Sequence, residues 1–178
     1  MSELSSPWRE FLAELDAALT EPVSLHCVGG FVVSFFDGLL RPKGGIDYYT
    51  AIPTSLDLEG LAGRDSPLAR KHKIYLQRVA VHNMPEEYEP RLREIFPKQF
   101  KNLRLFAPDP YDLILSKLER NSGKDRDDAA NVFKKLGLAP EVLGERYQKE
   151  LRLHLAIPTR EDLTFKLWIE MFEAEAKE

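Results

Sequence analysis

The chain has 178 residues and a mass of 20.4 kDa, with 25 Lys and Arg against 29 Asp and Glu, a formal net charge of -4 and a calculated isoelectric point of about 5.7. With 43% hydrophobic and 30% charged residues it has the apolar content of a folded domain, which excludes a disordered or fibrous chain; its weak acidity excludes coating of nucleic acid through bulk positive charge. Cys27 is the only cysteine, so an internal disulfide and a multi-cysteine metal site are both excluded. The N-terminus lacks a basic stretch ahead of an apolar run, and nowhere do about 18 apolar residues follow one another, which predicts a soluble, cytoplasmic protein without membrane association.

Ser6 to Leu19 carries Trp8, Phe11, Leu12, Leu15 and Leu19 at three- and four-residue spacing, predicting an amphipathic helix with Ser6 as N-cap and Pro7 at its first position. Val23 to Val28 is a β-branched and apolar run ending at Gly29-Gly30, hence a strand and a turn. The bulky residues Phe31 to Phe36 predict a short buried helix, Arg41-Pro42-Lys43-Gly44-Gly45 a loop, and Ile46 to Ile52 a second strand stopped by Pro53. Leu56, Leu58 and Leu61 predict one helix before the basic cluster Arg70-Lys71-His72-Lys73. Ile74 to Val81 alternates as a third strand, a helix containing Tyr88, Leu92 and Ile95 follows with Pro90 near its start, and Leu103 to Phe106 is a fourth strand.

Beyond Pro108 the strand patterns cease. Tyr111, Ile114, Leu115 and Leu118 recur at i, i+3, i+4 and i+7, the mark of a helix with one buried stripe. Three more helices are predicted over Asp125 to Leu136, Pro140 to about Leu155 and Thr159 to about Ala176, the last with a Thr159-x-x-Asp162 start that resembles a capping box. The fold class is therefore α+β: a small mixed sheet flanked by helices over residues 1–107, followed by a helical region over 108–178 packed on it.

Chemistry concentrates first in Val28-Gly29-Gly30-Phe31 and then in Arg41-Pro42-Lys43-Gly44-Gly45-Ile46-Asp47-Tyr48-Tyr49. Glycines leave backbone N–H groups open to phosphate oxygens, and the helix N-terminus behind them favours negative charge. In this order of strand, diglycine, helix, loop and acidic strand the chain resembles the minimal nucleotidyltransferase family, especially its abortive-infection toxin-like (AbiEii-like) branch. The pattern there is Gly-Gly or Gly-Ser, a helix, then Arg-x-Thr-x-Asp-apolar-Asp. Two aspartates alternating on a strand share one face, so that they can hold Mg2+ ions between them. Against that pattern Arg41 matches the arginine and Asp47 the second aspartate, whereas Gly45 stands in place of the first aspartate and Lys43 in place of the threonine. A third carboxylate is expected around Ala80 to Asn83, where the chain has Val81, His82 and Asn83.

A second stretch, Asp112-Leu-Ile-Leu-Ser-Lys117-Leu-Glu-Arg120 followed by Lys124-Asp125-Arg126-Asp127-Asp128, is similar to the Asp-Leu-Ile-x-x-Lys-Leu-x-Arg and Lys-Asp-x-x-Asp blocks of the same branch. On helical spacing Lys117 and Arg120 share a face away from Leu115 and Leu118, within reach of phosphates. The resemblance implies transfer of a nucleoside monophosphate from an NTP to an RNA end, such as that of tRNA, or to a protein hydroxyl, in a toxin–antitoxin or defence setting with a cognate partner. It assigns Mg2+ to Asp47, the nucleotide to Gly29, Gly30, Arg41, Lys43 and Arg120, charge neutralisation to Lys117, and orientation of the nucleophile to Asp125, with Asp128 in support. The alternative is a catalytically inactive nucleotide-binding or protein-interaction module, in which the Lys43 ammonium stands where a cation would otherwise sit. A plain structural reading also exists for each piece: Gly29-Gly30 as a turn, Asp125 as an N-cap, Lys117 to Arg120 as a solvated helix face, and the helical tail as a docking surface.

Overall fold

The computed structural model describes residues 3–39, 44–79 and 83–177, and the chain divides into two compact units, Met1–Val81 with Leu92–Ala107, and His82–Arg91 with Pro108–Glu178. In the first unit the apolar stripe of the opening segment forms α1 (Trp8–Ala18), which buries Trp8, Phe11, Leu12 and Leu15. There follow β1 (Val23–Val28), α2 (Gly29–Asp37), β2 (Gly44–Ile52), α3 (Leu58–Ala62), α4 (Pro67–His72), β3 (Ile74–Arg78), β4 (Arg93–Ile95) and β5 (Leu103–Ala107). The five strands make one mixed sheet in the order β3-β2-β1-β5-β4. β1 runs antiparallel to β2 and parallel to β5, β2 and β3 are parallel, and β4 and β5 are antiparallel.

Alternation along the strands separates two faces. Ile46, Tyr48, Ile74 and Leu76 are buried, whereas Gly45, Asp47 and Tyr75 on the opposite face are half-buried and Gln77 is exposed. Pairing of Cys27 with Tyr48 and of His26 with Thr50 leaves Tyr49 as an extra residue in β2, a β-bulge beside the functional strand pair. One carboxylate ties α1 to the sheet: Asp16 accepts from the backbone N–H groups of Lys101, Asn102 and Leu103 at 3.0, 2.7 and 2.7 Å. The Asn102 carbonyl in turn accepts from the Val23 N–H at 2.8 Å, which sets β1 beside β5.

Several expectations change. The strand at 46–52 begins two residues earlier, at Gly44, and the third strand closes at Arg78; Val81 lies outside the described residues. The helix expected around Tyr88, Leu92 and Ile95 is instead a 3₁₀ turn over Glu89–Arg91 followed by β4, so the sheet has five strands rather than four. Six residues between Pro90 and Pro97 are too few to repay helix nucleation, and the free edge of β5 offers backbone partners at once. The single helix expected over 56–61 is two short ones, each started by a side-chain cap: Asp57 accepts from the Gly60 N–H, and Ser66, ahead of Pro67, from the Ala69 N–H.

The second unit contains α5 (Pro110–Leu115), α6 (Gly123–Leu136), α7 (Pro140–Arg146) and α8 (Pro158–Glu175). The helix expected to run from Pro140 to about Leu155 ends as α7 at Arg146 and passes through a π turn and a 3₁₀ turn. At the start of α8 Thr159 makes no cap, because Asp162 is taken by the Tyr147 hydroxyl at 2.7 Å and by the Arg152 guanidinium at 2.8 Å on each oxygen. Phe133 stacks on Phe172 with ring centroids 4.7 Å apart, and Tyr147 on Phe165 at 4.5 Å. Asp112, fully buried, accepts two bonds from Arg91 at 2.8 and 2.9 Å and one from Arg146 at 3.0 Å, while Arg91 also holds Glu150 at 2.6 Å. These bonds fasten the 3₁₀ turn to α5 and the π turn. Among the described residues no helix is long and apolar enough to cross a membrane.

Asp16 is expected to carry measurable stability. Burial alone would raise its pKa, but the three backbone N–H bonds outweigh it and hold the carboxyl below the usual aspartate range. Asp16→Ala strands three backbone donors and is expected to cost about 1–3 kcal/mol in urea unfolding at neutral pH. Because the folded pKa is depressed, this contribution is complete above the ordinary aspartate value of about 3.9 and is lost as pH falls through the folded pKa, so the gap to wild type narrows in acid.

Candidate functional site

The junction of β1 and α2 brings glycine backbone against a carboxylate. Gly29, the first residue of α2, has φ of 70°, and a Cβ placed on it would run into the Asp47 carboxylate. Val28 is paired with Asp47 across the β1–β2 ladder, so the register delivers that carboxylate to the first turn of the nine-residue helix. Glycine is thus required twice, for the left-handed backbone and for the space Asp47 occupies. The helix dipole favours the negative charge there. Gly30 continues the turn, its carbonyl accepting from the Ser34 hydroxyl at 2.8 Å. Cys27, one residue before the junction, is fully buried; burial, and next the charge of Asp47, push its thiol far above its ordinary pKa. It therefore supplies no thiolate nucleophile at neutral pH.

Two residues before Asp47, Gly45 lies beside Tyr75 in the parallel β2–β3 ladder, and Asp47 lies beside Gln77. A Cβ on Gly45 would stand 2.8 Å from Tyr75 Cε2, so the tyrosine ring fills the space of a side chain at position 45. The ring is itself held: Arg64, from the α3–α4 connection, donates to the Tyr75 hydroxyl at 2.8 Å and places its guanidinium carbon 4.8 Å from the ring centroid. Glu59, Arg64, Asp65, Tyr75 and Gln77 border a cleft of about 300 Å³ next to this pair.

A two-metal centre needs carboxylates that bridge cations roughly 3.5–4 Å apart. Here the strand offers Asp47, a glycine and the amide of Gln77, and among the described residues no group of three His, Cys, Asp or Glu side chains can hold a metal. The residues present do not fit a paired Mg2+ site. Arg41 and Lys43, expected to bind nucleotide, lie outside the described residues, as do Val81 and His82, while Asn83 donates its amide to Glu119 within the second unit.

In the second unit α5 ends at Leu115, and the chain tightens: the N–H of Lys117 bonds to the Ile114 carbonyl at 3.1 Å and that of Leu118 to Leu115 at 3.2 Å. These i→i−3 bonds replace the helix face expected to expose Lys117 with Arg120, and Lys117 is only 5% exposed. Its ammonium lies 3.0 Å from Asp128 and 3.5 Å from Asp125. Asp125, fully buried, also accepts from Arg120 at 2.7 and 2.5 Å and from the Ser122 hydroxyl at 2.6 Å. It is the third residue of a capping box whose N-cap is Ser122, not the N-cap itself. Burial raises its pKa, but Arg120, Ser122 and Lys117 together pull the carboxyl far below the usual range. Lys117, Asp125 and Asp128 thus form a buried charge cluster, to which the exposed Arg120 is bonded through Asp125. The structure gathers Gly29, Gly30 and Asp47 in the first unit and Lys117, Arg120, Asp125 and Asp128 in the second. Tyr75 and Arg64 escaped the sequence reading, since nothing in a lone tyrosine on a short strand announces that its ring will cover a glycine on the next one.

Residues 28–175 match the family described as "Nucleotidyltransferase of unknown function (DUF6036)", and the chain belongs to that family. It is also similar to an alanine–tRNA ligase of Pyrobaculum calidifontis, with 26% identity over 131 residues; the match covers 68% of this chain and 14% of the ligase, so the chain spans a small part of that relative. No solved structure matches it.

Two outcomes test this geometry. Lys117→Met leaves two buried carboxylates short of a cation and is expected to cost about 3–5 kcal/mol in urea unfolding. Gly45→Ala is expected to cost about 1–3 kcal/mol by crowding the Tyr75 ring, a cost relieved in a Tyr75→Ala background; additive costs in that double-mutant cycle would show that the two positions do not touch.

Proposed function

We propose that the chain is a nucleoside triphosphate-binding member of its nucleotidyltransferase family that does not carry out paired-metal nucleotidyl transfer. Membership of the family supports the ligand class. The Tyr75 ring in the space of a side chain at position 45 carries the second half of the reading, because it removes the place of the first metal-binding acid. On this reading the uncovered backbone of Gly29 and Gly30, at the N-terminus of α2, meets the phosphates, and Asp47 limits how far they enter. Arg41 and Lys43 add positive charge from the loop ahead of β2. On this reading Lys117 stays buried on Asp125 and Asp128 and holds the second unit together, while the exposed Arg120 is bonded to Asp125.

A transferase reading is favoured by the resemblance of the Asp112 to Asp128 stretch to the sequence blocks of the toxin-like branch. There Lys117 and Asp125 would leave their present partners to act on the nucleotide and its acceptor, and the partial likeness to a tRNA ligase makes tRNA the first acceptor to try. Titration calorimetry of the full chain with ATP, GTP, CTP and UTP is expected to show binding of at least one. Incubation with labelled NTPs, Mg2+ or Mn2+, total tRNA and a protein mixture is expected to label no macromolecule. Labelled tRNA or protein that disappears with Lys117→Met or Asp47→Asn would replace this reading by the transferase one.

A further inference from the structure

We propose that the outward face of α8 docks against the same face of a second copy of the chain, giving a twofold dimer in which the two helices run antiparallel. The inference concerns the second unit alone and does not depend on the nucleotide-binding reading. α8 carries apolar residues on two faces. One is filled within its own unit: Trp168 and Phe172 are buried, Phe172 stacks on Phe133 and Phe165 on Tyr147, and the Trp168 indole donates to Asn121 at 3.0 Å. On the opposite side Arg160, Leu163, Leu167, Glu170 and Ala174 follow at alternating three- and four-residue intervals, which draws them into a single seam along the helix, and all five are exposed. Leu163 and Leu167 are 59% and 53% exposed, although the other face of the helix already supplies its packing.

The charges of this seam identify the occupant and its direction. In an antiparallel pair related by a twofold axis level with Phe165, each residue meets the one equally far beyond the axis, so Leu163 faces Leu167 of the copy and Arg160 faces Glu170 of the copy. Leucine then meets leucine and cation meets anion. A parallel pair would set Arg160 on Arg160 and Glu170 on Glu170, which like-charge repulsion disfavours. Arg160 is steadied by the buried Glu161, whose carboxylate accepts from it at 2.7 Å, yet its side chain is 53% exposed and the guanidinium keeps donors for a second carboxylate. Lys166, exposed beside the seam and one residue from the axis, comes near its own counterpart; that repulsion and the shortness of the seam make the dimer a weak one.

The test is sedimentation velocity of the full chain over a concentration series, for wild type, Leu167→Glu, Glu170→Arg and Lys166→Ala. Wild type is expected to pass from monomer to dimer with a dissociation constant on the order of 10–100 μM. Leu167→Glu is expected to weaken the dimer about a hundredfold, because the substitution acts twice across the twofold axis, Glu170→Arg about tenfold, and Lys166→Ala to tighten it. All three positions are exposed, so the variants are expected to fold, and circular dichroism verifies that. Direction is read separately by mixing Leu163→Cys with Leu167→Cys chains, whose mixture is expected to form a disulfide-linked dimer faster than either variant alone; the native Cys27 is buried and takes no part. A monomer at every concentration overturns the inference and leaves the face to a different protein, and a dimer that ignores Leu167→Glu overturns it in favour of another surface. A dimer that ignores Glu170→Arg, or cross-links no faster in the mixture, overturns the antiparallel arrangement and the proposal with it.

Discussion

The contact between Gly29 and the Asp47 carboxylate is the constraint from which the open face of the first unit follows. A left-handed residue at the start of α2 can lie against a side chain of β2 only if it has no Cβ, and the register of β1 on β2 then fixes which side chain that is. Once Asp47 is set there, the period of the strand assigns Gly45 to the same face, and the parallel ladder brings Tyr75 and Gln77 beside them. The bulge at Tyr49 comes just after, so the alternation that exposes Asp47 is not carried on unchanged to the end of β2. One close approach of backbone to carboxylate thereby determines the membership of the whole face.

The second unit is organised by a different economy of charge. Its charged residues are joined in groups around buried carboxylates: Lys117 and the exposed Arg120 with Asp125 and Asp128, and Arg91 and Arg146 with Asp112 and Glu150. Buried ion pairs add little net stability over apolar packing, but removing one partner leaves an unbalanced charge, so they specify which segments must meet. Arg91 illustrates this: it lies in a short 3₁₀ turn with no apolar anchor of its own, yet its bonds to Asp112 and Glu150 give that turn a defined seat. Lys117 and Arg120, which share a helix face by spacing alone, are in the fold bonded to Asp125 and Asp128.

Elements whose identity is local were legible in the sequence. Val23–Val28 as a strand, the helix that ends at Gly137, and the loss of strands beyond Pro108 all follow from propensity, period and cap residues over a few positions. What failed depended on partners distant in sequence. Arg93–Ile95 becomes a strand because β5 has an open edge, Thr159 is not a cap because Asp162 is claimed by Arg152 and Tyr147, and Lys117 turns inward because two aspartates await it. The close approach of Gly29 to Asp47 follows from backbone geometry, which the order strand, diglycine, helix, strand encodes. The ring over Gly45 is not so encoded, since it needs the β2–β3 register.

That register also explains why a glycine at position 45 and a tyrosine at position 75 form one unit of design. A side chain at 45 and the ring at 75 compete for the same volume, so an acid at 45 requires the ring to shift. The acid would place a second negative charge beside Asp47. The ring is neutral, lies over Gly45, and offers its hydroxyl and its π surface to the Arg64 guanidinium. The glycine at 45, the ring at 75 and the guanidinium of Arg64 on that ring are thus parts of one packing arrangement.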